Sequence, residues 1–223
     1  MIRVFIEHHR FGNMILLNPN EKHYLKNVMR KQKGSIIHVF NSSDGEWEGK
    51  LIDIHIVLIQ KIKDTLANTI KSIAVGCIKK NRMEYLVEKA TEVGIDNIFL
   101  LNTEYSQPFR YDMHRLERIS IEAAEQSGRI SIPTVHEPQP IESFLNLNFS
   151  FASAYQYADS SQVDANCDCI LIGPEGGWSK AEIELMSNID KIKLGENILR
   201  TETAAVIAAH MLTCLGCRTA SAA

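Results

Sequence analysis

The 223-residue sequence predicts an α/β protein with a mostly parallel sheet, preceded by a small β-barrel. The prediction rests on two different patterns of apolar residues, one before residue 68 and one after it. Before residue 68 the apolar residues are spaced as in strands, and Asp44-Gly45 marks a hairpin turn between two such runs. After it, short apolar strands alternate with amphipathic helices, which is the pattern of a parallel sheet covered on both faces. We therefore expect a β-barrel at residues 1–68 and an α/β domain at residues 69–223.

The first part contains strand-like runs and one short helix. Ile2, Val4 and Ile6 alternate along the first run, as the buried face of a strand requires. The predicted elements are strands at residues 2–6, 35–40 and 49–59, a helix at residues 21–30 and a polar linker at residues 64–69. The helix is expected to place Tyr24, Leu25 and Val28 on one side.

The second part alternates between the two types of element. Strands are predicted at residues 72–78, 95–101, 149–155, 169–172 and 189–194, and helices at residues 82–93, 112–128 and 202–215. Gly94 is placed to end the first of these helices as a left-handed cap. Ser179 and Glu182 have the spacing of a capping box, which predicts a further short helix.

Composition restricts the class of protein. With 45% hydrophobic and 23% charged residues, the chain is ordinary globular material. It has no run of about 18 apolar residues that would span a membrane, and its charged N-terminus is not a secretion signal. We therefore expect a cytoplasmic protein with no membrane partner.

The cysteines allow one alternative, a zinc site. Their odd number, five, fits a reducing compartment better than a set of disulfide bonds. Cys167, Cys169, Cys214 and Cys217 offer four thiolates, but Cys169 leads into an apolar strand and Cys214 lies on an apolar helical face. We interpret them as small core residues. The eight histidines lack metal-ligand spacing, and no metal site is expected.

A glycine-rich loop is the sharpest feature of the sequence. It comprises Ile172, Gly173, Pro174, Glu175, Gly176 and Gly177, directly after an apolar strand and before the capped helix. Ligands bind at the carboxyl ends of parallel strands, and glycines let the backbone approach them closely. A tight turn without a ligand is the alternative. The loop lacks the pattern of a phosphate-binding loop, so a nucleotide phosphate is not expected.

A second loop, after the next strand, repeats this arrangement. Gly195 follows Leu194 at the end of the strand, and residues 197–203 lead into the last helix. Leu194 and Leu199 offer apolar surface for an adenine ring, while Arg200 and Glu202 supply charge nearby. Two adjacent loops of this kind favour a ligand site, although a solvated ion pair would also explain Arg200 and a helix cap would explain Thr201.

Several long motifs resemble those of one enzyme family. They are HYLKNVMRKQKG, KNRMEYLVEKATEVGIDNI, IEAAEQSGRISIP, GPEGGWSKAEIE and LGENILRTETAA, in that order. Together they resemble the SPOUT methyltransferases and, more closely, the bacterial ribosomal RNA small-subunit methyltransferase E group. The resemblance covers nearly the whole chain, and several motifs in the correct order are far more specific than one.

The resemblance implies a PUA-like barrel for RNA and an α/β domain with a trefoil knot, which the physics of the sequence would not suggest. It implies a homodimer with the knot region at the interface. It also implies methylation of ring nitrogen 3 of a uridine in small-subunit ribosomal RNA. S-adenosylmethionine would be bound at Ile172, Gly173, Pro174, Glu175, Gly176, Gly177, Leu194, Gly195, Ile198, Leu199 and Thr201.

The implied reaction gives roles to charged side chains. Ring nitrogen 3 of uridine carries a proton and is a poor nucleophile until that proton leaves. A cation near the uracil oxygens favours the anion, and Arg200 is the candidate. A carboxylate can take the proton, with Glu202 and Glu175 as the options. The base must also be single-stranded or flipped out to be reached.

Cations near the N-terminus predict RNA contacts. Residues 1–68 carry ten Lys or Arg against seven Asp or Glu, whereas the whole chain has a net charge of -3. A solvated helix face would explain the cluster at residues 22–33, but its match to the family motif favours phosphate contacts. The predicted RNA-binding residues are Arg10, Lys22, His23, Lys26, Arg30 and Arg129.

One loop departs from the family pattern. The family usually has an arginine before a serine after the second strand of the knotted domain, where this chain has Glu104-Tyr105-Ser106. Arg110 is the nearest substitute for that cation. Two other functions remain open: the same fold acting on another RNA such as transfer RNA, or a non-catalytic RNA-binding factor in ribosome assembly. The intact glycine loops and Arg200 favour an enzyme.

Overall fold

The computed structural model describes residues 2–7, 11–65, 70–108 and 110–220, with side chains described up to residue 214. The chain divides into two compact units. The first consists of Met1–Ala67 with Ala124–Ile132, and the second of Asn68–Ala123 with Pro133–Ala223. The domain boundary predicted at residue 68 lies outside the described residues, and the sequence did not indicate that Ala124–Ile132 belongs with the first unit.

The first unit is built on a five-stranded sheet. Its elements are β1 (Arg3–Phe5), β2 (Met14–Leu16), α1 (Pro19–His23), a π-helical turn (Tyr24–Val28), β3 (Ile36–Asn41), β4 (Gly45–Ile52) and β5 (His55–Lys63). The strand order is β1-β3-β4-β5-β2, in which β1 is parallel to β3 and the other neighbours are antiparallel. The predicted inward alternation of β1 is confirmed, since Val4 and Ile6 are buried in the core of this unit.

The hairpin at Asp44-Gly45 is confirmed, but a second turn was not predicted. Gly45 has a φ of +79° and pairs with Asn41 across the first turn. The single strand predicted at residues 49–59 is wrong, because the chain turns at Asp53 between β4 and β5. Asp53 has a φ of 54°, a left-handed conformation that aspartate adopts more readily than most residues. The sequence did not indicate this turn because Asp53 is a single polar residue within an apolar run.

The helix predicted at residues 21–30 lies two residues earlier, at residues 19–28, and is of two kinds. It begins at Pro19, with Asn18 and Glu21 forming a capping box, and continues as the π-helical turn. There the amide of Met29 donates to the carbonyl of Tyr24 at 2.8 Å, five residues earlier. This wider turn breaks the spacing of an α-helix. The prediction that Val28 shares one side with Tyr24 and Leu25 is therefore wrong, since Val28 is 58% exposed whereas Leu25 is buried.

Arg3 ties β1 to the segment Ala124–Ile132 of the same unit. Its guanidinium donates to both carboxylate oxygens of Glu46, at 3.0 and 3.1 Å. It also donates to the carbonyl oxygens of Ala124, Glu125 and Arg129. Burial acts to raise the pKa of Glu46, but hydrogen bonds from Arg3 and His38 and the charges of Arg3 and Lys63 outweigh it and lower the pKa.

The second unit is an α/β layer structure. Its strands are β6 (Ser72–Gly76), β7 (Asn97–Asn102), β8 (Thr134–Pro140), β9 (Phe151–Ala154), β10 (Cys169–Ile172) and β11 (Asp190–Ile192). Its helices are α2 (Lys80–Val93), α3 (Met113–Ser127), α4 (Ile141–Phe144), α5 (Lys180–Leu185) and α6 (Thr201–Ala220). The strand order is β11-β9-β10-β6-β7-β8, and all neighbours are parallel, which confirms the predicted α/β fold with a parallel sheet.

Both faces of this sheet are covered, as the apolar strands predicted. Ile170 and Ile172 point to the core that also contains residues of α2 and α6. Cys169 and Leu171 point to the opposite core, with Phe144 of α4. Residues on one strand thus alternate between two apolar layers.

The end signals of two helices are confirmed. Gly94 ends α2 in the left-handed conformation, and Ser179 with Glu182 caps α5. In contrast, β8 and α4 were not predicted. Because β8 lies at the edge of the sheet, it accommodates Pro138 and Pro140, which mask a strand signal in the sequence.

The four described cysteines are free thiols, and three of them, including Cys77, are core residues. Cys167 and Cys169 are buried, Cys214 is partly buried, and the side chain of Cys217 lies outside the described part. Among the described residues, no three His, Cys, Asp or Glu side chains are grouped to hold a metal ion. No described helix is both long enough and apolar enough to cross a membrane.

Candidate active site

The carboxyl edge of the parallel sheet carries both glycine loops. Residues 173–179 follow β10, and residues 193–200 follow β11. Their strands are not neighbours in the sheet, because β9 pairs with both β10 and β11 and lies between them. Tyr155 directly follows β9, and its amide donates to the carbonyl of Ile192 at 2.9 Å. Tyr155 therefore lies at the same edge, where residue spacing alone did not place it.

Pro174 fixes the first loop against the sheet. Its side chain is buried at the end of β6, next to Gly76. The loop then turns back, with the amide of Gly177 donating to the carbonyl of Pro174 at 2.9 Å. Gly177 has a φ of +71°, which other residues rarely adopt. The glycines thus permit a tight turn that ends at the buried cap of α5.

We expect Gly76→Ala to lower the free energy of unfolding by about 1–3 kcal/mol, the range of an overpacked core. A Cβ at this position would lie 2.5 Å from Cδ and 2.8 Å from the backbone nitrogen of Pro174. Urea denaturation measures the change. Gly195→Ala is the matched control, since its Cβ would meet no atom within 4 Å and its cost should stay below about 0.5 kcal/mol. Equal stability of the two variants would contradict the packing of Pro174 on β6.

One hydrogen bond joins the two loops. The hydroxyl of Thr201, the first residue of α6, donates to the carbonyl of Gly173 at 3.0 Å. Thr201 therefore links loops rather than capping its own helix with its side chain. Leu194 and Leu199 pack partly against the core, whereas Ile198 is 80% exposed. The second loop thus presents apolar surface beside the first.

Three charged side chains from different elements meet near these loops. Nη1 of Arg82, in the first turn of α2, lies 2.9 Å from Oε1 of Glu175. Nε of Arg82 lies 3.7 Å from Oε1 of Glu202, near the start of α6. Glu202 is buried, and its Oε2 has no hydrogen-bond partner. Arg82 was not among the predicted site residues, although its place just after β6 and the motif KNRMEYL mark this edge of the sheet.

Arg200 differs from the other charged residues of the site. It directly precedes α6 and is exposed, and its carbonyl accepts the hydrogen bond from the amide of Ala204. Its guanidinium makes no ion pair or hydrogen bond with any described residue. This cation is therefore available to a ligand, as its predicted role requires.

Comparison with known proteins decides the family. The RNA methyltransferase domain model matches residues 67–213, and the RNA methyltransferase PUA domain model matches residues 17–60. The ribosomal RNA small subunit methyltransferase E of Rickettsia conorii is 31% identical over 218 residues, which cover 90% of this chain and 89% of that protein. The chain belongs to this methyltransferase family. The protein of the same name from Bacillus subtilis is 29% identical and covers 86% of each chain.

Solved structures agree with the family. A Legionella pneumophila protein solved with bound S-adenosylmethionine has a TM-score of 0.80 and 26% identity, covering 96% of this chain and 97% of that one. The small subunit methyltransferase E of Neisseria gonorrhoeae, bound to S-adenosylmethionine, has a TM-score of 0.84 at 22% identity, which is a likeness of fold. It covers 96% of this chain and 98% of that one. The PUA domain and the SPOUT type of α/β domain are thus confirmed.

Tyr105 lies in the loop after β7, where the sequence departs from the expected family pattern. It lies against the first glycine loop, since a Cβ on Gly176 would fall 2.6 Å from the Cβ of Tyr105. Its loop is fixed by Ser106, whose hydroxyl donates to the carbonyl of Thr103 at 2.9 Å. The amide of Glu104 donates to Glu182 of α5 at 2.8 Å. This methyltransferase therefore presents a half-exposed aromatic ring beside the first glycine loop.

The predicted RNA-binding residues of the PUA domain are mostly exposed. Lys22, His23, Lys26 and Arg30 lie on and after α1, and all four side chains are solvent-exposed. No ion pair with a described residue involves Lys22, Lys26 or Arg30, although Nδ1 of His23 lies 2.9 Å from the side-chain nitrogen (Nδ2) of Asn27. Three free cations on one short segment suit phosphate contacts.

Two other predicted RNA contacts stand differently. Arg10 lies outside the described residues. Arg129 belongs to the segment that packs with the PUA unit, and its Nε donates to the carbonyl oxygen of Ser131 at 2.6 Å. Its carbonyl oxygen accepts from Arg3 at 2.8 Å. The structure thus gives Arg129 contacts within the protein, whereas its RNA contact stays a prediction.

Proposed function

We propose that this methyltransferase transfers the methyl group of S-adenosylmethionine to ring nitrogen 3 of a uridine in small-subunit ribosomal RNA. The observation that carries the proposal is the joining of both glycine loops by the Thr201–Gly173 hydrogen bond, beside the available cation of Arg200. Relatives that share most of the chain are named ribosomal RNA small subunit methyltransferase E. The structure at 26% identity contains S-adenosylmethionine.

The residues of the two loops fit this cofactor. Open space surrounds the Cβ positions of Gly177 and Gly195, so both backbones can approach a ligand. Ile198 is 80% exposed, and Leu194 and Leu199 are partly exposed, which gives apolar surface for an adenine ring. When bound, S-adenosylmethionine supplies an electrophilic methyl group. The task of the protein is then to orient the uracil ring in line with that group.

Arg200 and an acidic residue complete the proposed site. Arg200 stabilises negative charge on the uracil oxygens as the proton leaves ring nitrogen 3. Glu202 and Glu175 are the candidates to accept that proton. Glu202 is 8% exposed and its free oxygen is buried, whereas Glu175 is exposed in the loop itself. These exposures favour Glu175 for contact with the base, and the direct catalytic role predicted for Glu202 stays a prediction.

The cysteines favour attack by nitrogen rather than by a ring carbon. Methylation of a uracil ring carbon needs a nucleophile that adds to the ring first, usually a thiolate. Burial raises the pKa of Cys77, at the end of β6, to about 11. Cys214 lies 13 residues into α6, which is about 20 Å from its first turn. Neither residue supplies a reactive thiolate at the glycine loops.

The proposal also includes the partners and the location of the protein. It binds RNA, forms a homodimer and acts in the cytoplasm. The PUA unit contacts RNA phosphates, and the exposed Ile198 fits the predicted contact of the knot region within a homodimer. Action on ribosomal RNA is consistent with the cytoplasmic location expected from the sequence.

Replacing Lys26 and Arg30 by glutamine should weaken RNA binding and flatten its salt dependence. Each lost phosphate contact reduces the slope of log K against log salt by about 0.7 for single-stranded RNA, so the pair should reduce it by about 1.4. The slope is obtained by measuring the affinity for small-subunit RNA at several salt concentrations between about 50 and 200 mM. Lys89→Gln with Arg118→Gln removes the same charge from α2 and α3 and should leave the slope unchanged. An unaltered slope in the first pair would remove this segment from the RNA site.

The test of the function is methyl transfer from radiolabelled S-adenosylmethionine to small ribosomal subunits from cells that lack this protein. Nucleoside analysis of the product identifies the methylated atom. Label in 3-methyluridine supports both the reaction and the position. Label in another nucleoside, or only in transfer RNA, would overturn the proposed substrate. Cofactor binding without transfer to any RNA would favour the alternative of a non-catalytic assembly factor.

A further inference from the structure

Arg82 stands between two carboxylates that come from different parts of the chain. Its Nη1 pairs with Oε1 of Glu175 at 2.9 Å, and its Nε faces Oε1 of Glu202 at 3.7 Å. The three residues belong to α2, to the loop after β10 and to α6. One guanidinium in α2 thus connects the first glycine loop with the first turn of α6.

The three side chains differ in solvent exposure, and the most buried of them distinguishes this group from a surface ion pair. The side chain of Glu202 is 11% exposed, that of Arg82 is 27% exposed and that of Glu175 is 30% exposed. Surface pairs contribute little because both partners are well solvated. Here the innermost carboxylate has a buried oxygen without a partner, which costs free energy unless its charge is balanced. Arg82 is the only described cation within 4.0 Å of Glu202.

We propose that Arg82 is a positioning residue for the proposed methyl transfer. The ion pair with the buried Glu202 holds Arg82 in place, and Arg82 in turn orients Glu175 as the proton acceptor. The close pair engages Oε1 of Glu175, and its Oε2 makes no hydrogen bond with a described residue. The charge of Glu202 holds the guanidinium at one end, so that the other end fixes the carboxylate in the exposed loop. The inference rests on the proposed function, for which it selects Glu175 rather than Glu202 as the base.

The proposed reaction couples the loss of a proton from the uracil ring to methyl transfer. The bond between ring nitrogen 3 and its hydrogen breaks, and the proton goes to Oε2 of Glu175. The electron pair left on the nitrogen forms the bond to the methyl carbon, while the bond from that carbon to sulfur breaks with its electrons going to sulfur. Glu175 then releases the proton to water. Arg82 changes no bond, and it keeps Glu175 charged and correctly oriented before the transfer.

Arg82→Gln is the decisive variant, assayed on small ribosomal subunits with S-adenosylmethionine. We expect kcat to fall about 100-fold, the lower end of general-base effects, with the Kd for S-adenosylmethionine changed less than about threefold. Arg82→Lys keeps a charge but not the two-sided geometry, and it should recover part of the activity. Arg115→Gln is the matched control. It removes another arginine paired with a glutamate of α2, at 2.8 Å from Glu84, and should keep wild-type kcat.

A double-mutant comparison separates positioning from a general structural role. If Arg82 acts through Glu175, adding Arg82→Gln to Glu175→Gln should lower kcat less than about threefold further. A full and independent loss in that background, or wild-type kcat in Arg82→Gln alone, would overturn the inference. If Arg82→Gln does not fold, judged by circular dichroism, Arg82→Lys in the same two backgrounds carries the comparison. Inactive wild-type protein would instead contradict the proposed function.

Discussion

Arg200→Ala should lose at least about 100-fold in kcat while binding S-adenosylmethionine almost as tightly as the wild type. Removing one charge or donor that stabilises a developing anion typically costs about 100- to 1000-fold. Arg200 is exposed directly before α6, and its side chain makes no hydrogen bond or ion pair with a described residue, so its loss should not disturb the fold. The carbonyl of residue 200 still accepts the hydrogen bond that starts the helix. Methyl transfer kinetics and calorimetry of cofactor binding measure the two quantities.

Two further variants make the Arg200 result specific. Arg118→Ala removes an exposed arginine of α3, paired with Glu122 at 3.7 Å, and should leave kcat unchanged. Arg200→Lys keeps the charge on a different geometry and should fall between the wild type and the alanine variant. Full activity of Arg200→Ala would show that Arg200 is a surface residue, and the uracil anion would then need another cation.

Arg3→Ala should lower the free energy of unfolding by about 3–5 kcal/mol, the cost of leaving one partner of a buried ion pair without the other. Glu46 is 2% exposed and pairs with Arg3 through both oxygens. The variant also leaves three carbonyl oxygens of the segment Ala124–Ile132 without this donor. Urea denaturation at neutral pH measures the loss. Lys33→Ala, which breaks a surface pair whose side chains are 68% and 65% exposed, should cost less than about 1 kcal/mol.

The same pair predicts a pH dependence with a definite sign. Because the pKa of Glu46 is lowered below 4.5 in the folded state, the unfolded chain takes up its proton first as the pH falls. The stabilisation by Glu46 is thus present above about pH 4.5 and is lost as the pH falls through the lowered pKa. In Arg3→Ala the main cause of the lowered pKa is gone, so this acid-dependent loss should be smaller. An equally steep loss in both proteins would assign the effect to other carboxylates.

The sequence determined features that depend on neighbouring residues. Gly94 and the Ser179–Glu182 pair act through hydrogen bonds to backbone groups a few positions away, and both were predicted. The continuous apolar run at residues 169–172 likewise identified β10 at its full length. Local spacing failed where a residue used an uncommon conformation, as at Asp53 and in the π-helical turn at Val28. In those places the local sequence is compatible with both a regular and an irregular backbone conformation. The packing of the folded protein decides between the two.

Only the tertiary structure decided which residues meet at the site. The position of β9 between β10 and β11 places Tyr155 at the edge that carries the glycine loops. The pairing of Arg82 with Glu175 joins positions 93 residues apart. Such contacts depend on the order of the strands in the sheet. The spacing of apolar residues along the chain does not reveal that order. The sequence by itself determined most of the elements, the glycine loops and the family, but not β8, α4 or the turn at Asp53. Long-range packing decided how Arg82, Glu175, Glu202 and Thr201 are arranged around them.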